Sequence, residues 1–122
     1  MKRMNLVAGL IVGLCFLLFA VSSEAQGRVT YSSGVIASSA VVSKYPCLLT
    51  DLAVYANGTN GATVILYDNA SAASGTVIGK VILPTTSYSG GLITPVPVKA
   101  LNGVYVSITG TGASAIVFTT PE

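Results

Sequence analysis

Beyond residue 25, one position in three carries a β-branched side chain: 13 Val, 7 Ile and 12 Thr fall among the 97 residues from Gln26 to Glu122. Such side chains are stiff at the first torsion and pack better on a pleated surface than in a helix. Eleven glycines accompany them, and no stretch repeats apolar residues at helical spacing over three turns. The expectation is an all-β fold.

Turn residues divide this part into short strands. Cys47 to Ala56 alternates, with Leu48, Leu52 and Val54 on one face and Asp51 and Tyr55 on the other. Two Asn-Gly pairs follow, Asn57-Gly58 and Asn60-Gly61, and predict a hairpin. Ala62 to Asp68 is then the return strand, apolar on both faces and therefore central. In that hairpin Tyr55 and Tyr67 become candidate cross-strand neighbours. An Ala/Ser loop from Asn69 to Gly75 leads to a strand over Thr76–Leu83, which Pro84 ends. Leu92 to Val98 carries Pro95 and Pro97 on one face, the mark of an edge strand. Asn102 to Ile108 is expected to turn Val104, Val106 and Ile108 inward, and Ser114 to Thr120 to turn Ile116 and Phe118 inward. Ahead of Cys47, Val29–Tyr31, Val35–Ile36 and Ala40–Tyr45 are β-prone but interrupted by Ser. Seven to eight short, mainly antiparallel strands at this spacing predict a single β-sandwich or jelly-roll domain behind an N-terminal signal helix.

The first 25 residues read as a secretory signal peptide. Lys2 and Arg3 are followed by an unbroken run of apolar residues and Gly from Leu6 to Val21. Ser23-Glu24-Ala25 sets small residues at the −3 and −1 positions, so cleavage is expected after Ala25. The run is about 16 residues, short of the roughly 20 that span a bilayer comfortably. The alternative is an uncleaved N-terminal anchor, the sole way this chain would hold a membrane. The chain thus divides into the leader, 1–25, an N-terminal extended segment, 26–45, and a β-sandwich domain, 46–122. Localisation is expected to be secreted, at the cell surface or in a virion.

Residue inventory removes most chemistry. The chain has no His, hence no imidazole base for a Ser or Cys nucleophile and no imidazole ligand for zinc. Two internal carboxylates remain, Asp51 on an alternating strand and Asp68 where a strand enters a loop and is expected to bond its own backbone. No Gly-rich element combines with a Lys and a helix to cradle phosphate, and the oxygen ligands are too few and scattered for calcium. No catalytic residue, metal or cofactor is expected. Cys47 is the one thiol beyond the leader, and its place at the start of an apolar strand favours a buried thiol over an intermolecular disulfide. Asn57-Gly58-Thr59 and Asn69-Ala70-Ser71 match the glycosylation sequon, but both Asn stand where turns need them.

Seven charges in 97 residues are few against the roughly 25% usual for soluble domains. No basic patch exists to hold nucleic acid. Little charge keeps copies apart, and the N-terminal segment has β propensity without an obvious partner. That combination predicts a homo-oligomer or larger assembly formed by pairing at sheet edges, with 26–45 a candidate strand for exchange outside its own domain. The candidate interaction residues are Val29, Tyr31, Val35, Ile36, Tyr55 and Tyr67.

Three stretches carry a resemblance: Pro46-Cys47-Leu48-Leu49 leading to Val54, Ala62 through Ile78 with its Leu66-Tyr67-Asp68-Asn69 strand end and Ala/Ser loop, and Leu101 through Ala113 with its Gly103-Val104-Tyr105 strand. Over about residues 41–119 the chain resembles small β-sandwich structural proteins of tailed phages and prophages. The resemblance implies a virion component of head-decoration or fibre type without enzymatic activity. The leader departs from that pattern and points to a cell-surface protein using the same module, or to a component of a membrane-containing or extruded virus. A secreted monomeric module that binds carbohydrate or a cell-surface ligand through exposed Tyr is the alternative function.

Overall fold

The computed structural model describes residues 29–122; the expected signal peptide, its expected cleavage after Ala25 and residues 26–28 lie outside the described residues. All regular structure among them is β: β1 (Tyr31–Ser32), β2 (Ala40–Ser43), β3 (Cys47–Tyr55), β4 (Ala62–Tyr67), β5 (Val77–Leu83), β6 (Ser89–Ala100), β7 (Val104–Thr109) and β8 (Ser114–Pro121). They form two four-stranded antiparallel sheets, one ordered β1-β8-β3-β6 and the other β2-β7-β4-β5. First pairs with last, second with seventh, third with sixth and fourth with fifth. The described chain is one long antiparallel ribbon folded over so that these four strand pairs alternate between the two sheets.

The two sheets share one core. Leu49, Leu52, Val54, Ala115 and Val117 enter it from the first sheet, and Ala62, Val64, Leu66, Val104 and Val106 from the second, all 2% exposed or less. At Gly79 of β5 the sheets approach closely: a Cβ there would lie 3.3 Å from Leu66, and 3.4 and 3.5 Å from Leu92 and Leu49 of the facing sheet. β4 is central in its sheet, between β7 and β5, as expected from its two apolar faces. β6 is an edge strand, as its prolines require.

Three expectations need correction. The first concerns the Asn-Gly segment after β3, which does not make a hairpin. β3 and β4 belong to different sheets, and the 57–61 turn carries the chain across the core. Asn57 organises it by accepting from the backbone N–H of Thr59 (2.9 Å) and Asn60 (2.7 Å), with Gly58 at φ +74°.

The second concerns which side of β3 faces inward. Leu49, not Leu48, joins Leu52 and Val54 in the core. Thr50 is an extra residue against β8, because Leu49 pairs with Thr119 and Asp51 with Phe118. This bulge reverses the alternation. On the other side the same residue faces a longer irregularity in β6, where Leu49 pairs with Val98 and Asp51 with Ile93. Thr94 Oγ1 pins it by donating to Thr50 O at 2.6 Å, and Thr50 Oγ1 donates to Phe118 O at 3.1 Å.

The third concerns β8. Ala115 and Val117 point inward, and Ile116 and Phe118 outward. β8 is apolar on both faces, so hydrophobicity did not select the face; pairing of Ala115 with Val54 and Val117 with Leu52 does.

Candidate interaction surfaces

The N-terminal segment lies along the outer side of β8. Tyr31 and Ser32 pair with Thr119 and Phe118, and Ser33 N donates to Val117 O at 2.9 Å. Val117 N donates in turn to Ser33 Oγ at 3.0 Å. Ile36 and Ala115 exchange two backbone bonds of 2.8 Å. Before β1, the hydroxyls of Thr30 and Thr120 meet at 3.3 Å, satisfying the buried Thr120. Of the candidates here, Ile36 alone packs against the core. Val29, Tyr31 and Val35 are 64%, 56% and 71% exposed. Backbone hydrogen bonds, more than buried side chains, hold the segment.

Tyr55 and Tyr67 are not neighbours, since they stand on different sheets. Tyr67 is opposite Tyr105 of β7, and the row continues to Val41 of β2 on one side and Val77 of β5 on the other. A band of two aromatic and two aliphatic residues therefore crosses the outer face of the second sheet. Ile65 pairs with Lys80 and Thr63 with Ile82 on the same face, so Lys80 is the one charge among these positions. The sequence signal for Tyr105 was its alternation with inward Val104 and Val106; what it lacked was the strand order that puts β7 beside β4.

At the end of the sandwich where β1, β2 and the start of β3 converge, an open pocket of about 260 Å³ is lined by Tyr31, Val42, Tyr45, Pro46, Cys47 and Pro121, with Ser43 and Thr119. Sequence reading missed it because its lining comes from both ends of the chain. Cys47 is a free thiol, 5% exposed. Burial pushes its pKa up, a hydrogen bond with the Ser43 side chain pulls the other way, and the Asp68 carboxylate adds to the rise. The thiol is a poor nucleophile there, because the thiolate is the reactive form.

The remaining polar candidates serve the loops. Asn69 Oδ1 accepts from Ser71 N (2.8 Å) and Ala72 N (3.0 Å), and its Nδ2 donates to Ser74 O at 3.1 Å. Asp68 accepts from the N–H of Asn102, 34 residues away, at 2.7 Å, instead of from its own loop. Asp51 is on the outer face of the first sheet and Asp68 at the end of β4 in the second, so the two carboxylates do not form a pair. Among the described residues no three His, Cys, Asp or Glu cluster, and no buried side-chain polar atom lacks a partner. Comparison with protein-family models, curated proteins and solved structures finds no match for this chain.

Proposed function

We propose that the exported part is a non-enzymatic structural subunit that assembles with copies of itself through sheet edges, in a virion, surface or filament structure. The balance of its surface carries this reading. Twelve large apolar side chains are exposed among the described residues, against four charged ones, and two of those four, Lys99 and Glu122, pair with each other. A dispersed monomer is usually kept apart by interspersed charge, whereas exposed apolar surface marks association sites. The strand order β1-β8-β3-β6 facing β2-β7-β4-β5 is that of an eight-stranded jelly roll, an architecture found in capsid and lectin domains. The resemblance of residues 41–119 to phage structural proteins supports the same reading, and the leader supports export.

Sedimentation velocity of the secreted protein across a concentration series tests this. Weight-average sedimentation is expected to rise with concentration in the micromolar range. A single species of monomer mass throughout would overturn the proposal. The second reading, a secreted binding module, is favoured by the open pocket with Tyr31 and Tyr45 on its walls. It predicts that same constant monomer together with a shift on a glycan array that Tyr45→Ala removes.

A further inference from the structure

We propose that the partner surface is the outer side of β8, and that its occupant in the assembly is the 29–36 segment of a second copy of this chain. This rests on the self-assembly reading and names the surface that performs it. Four observations favour an exchanged strand. Residues 29–36 are attached to β8 by backbone bonds that any identical chain reproduces: Ser33 N to Val117 O, and the two between Ile36 and Ala115. The contribution of this segment to the core is Ile36, which is half-buried, while its larger side chains stay exposed. The link from Ile36 on the first sheet to Ala40 on the second is three small residues, Ala37-Ser38-Ser39. A hinge that short, crossing between sheets, is the arrangement that favours opening outward over folding back.

The fourth observation concerns the other edge of the same sheet. β6 is interrupted opposite Thr50 over Thr94–Pro97, where Pro95 and Pro97 lack donors, so it is a poor template for another chain. The β8 side has no such block. Once the short N-terminal segment leaves, β8 presents backbone from Ala115 to Thr119 to an incoming strand. Exchange in a closed pair gives a dimer, and head-to-tail exchange gives an open filament.

Cysteines at Thr30 and Thr120 report the origin of the segment, because their hydroxyls already meet at 3.3 Å. The full chain carrying T30C and T120C, with Cys15 and Cys47 replaced by Ala, would be expressed, recovered after export and oxidised. Disulfides linking two chains are expected, seen as dimers or a ladder on non-reducing gels and collapsing to monomer on reduction. A one-to-one co-expression of isotope-labelled and unlabelled chains should then yield mixed-isotope peptides in about half of the cross-links, the fraction for random pairing of equal populations. Cross-links confined within single chains would overturn the exchange. The second pair, I36C with A115C, repeats the reading at the isolated bridge should Thr120 not tolerate replacement. Light scattering on the same samples separates the two claims: assemblies with only intrachain links defeat the exchange and leave assembly standing, and monomers with intrachain links defeat both.

Discussion

Gly110 shows how tightly single residues determine the loops of this fold. It stands at φ +129°, and a Cβ there would press on the backbone of Gly61, with Ala62 Cα 3.1 Å away. Gly110→Ala is expected to cost about 1–3 kcal/mol, the range for backbone strain at such positions, read as a lower urea midpoint. Gly79 provides the contrast. Its φ is ordinary and the atoms a Cβ would meet are ends of leucine side chains at 3.3 to 3.5 Å, so Gly79→Ala should cost well under half as much. If both substitutions shifted the midpoint equally, backbone conformation would not be the cause. Cys47 gives a pH-linked prediction. Its folded pKa is raised, so the unfolded chain loses the thiol proton near the ordinary value of 9.0 while the folded chain keeps it. Stability should therefore be complete in this respect below pH 9.0 and decline as pH rises through the folded pKa, a decline that Cys47→Ala removes. Iodoacetamide labelling of the folded protein should be slow and should accelerate on adding urea; rapid labelling without denaturant would mean the thiol is not held inside.

At the scale of elements, the sequence made the strands legible and concealed their arrangement. Gly and Pro stand directly beside strand ends at Pro46, Gly61, Pro84, Gly103 and Gly110, because turns favour the freedom of one and the missing N–H of the other. The core face of β7 was readable from Val104, Val106 and Ile108, since Tyr105 and Ser107 separate them. The face of β8 was not, because Ile116 and Phe118 are as apolar as Ala115 and Val117, and packing against β3 decides. In β3 the bulge at Thr50 defeated simple alternation: no local signal marks it, for the pinning hydroxyl comes from Thr94, far along the chain. Thr94→Val is expected to lower stability by about 1 kcal/mol through loss of that bond, with far-UV circular dichroism unchanged. A loss of β signal would show instead that Thr94 holds the whole edge. The Asn57–Gly61 turn was recognised as a turn but not as a crossing between sheets, a distinction set by which strands β3 and β4 find as partners. The exposure of the candidate residues was partly legible. Val29, Tyr31 and Val35 are exposed, whereas Tyr67 stands opposite Tyr105, a neighbour that only the strand order reveals.

At the scale of the molecule, the governing fact among the described residues is an apolar core wrapped in a surface with little charge. The Lys99–Glu122 pair is about half exposed on both sides and adds little to stability. The proposed assembly by backbone pairing and apolar contact should accordingly be nearly insensitive to ionic strength. Light scattering at about 50 mM and about 1 M salt, which spans the range from weak to strong screening, should give the same mass within error. Dissociation at high salt would place ion pairs at the interface and contradict the account. Self-assembly of an exported chain is most directly tested by intact mass spectrometry and light scattering on one sample of secreted protein. A chain beginning at Gln26 that scatters as closed oligomers or fibres is the predicted result. A cleaved chain that remains monomeric would contradict assembly, and a chain still carrying Met1, recovered only in detergent, would contradict export.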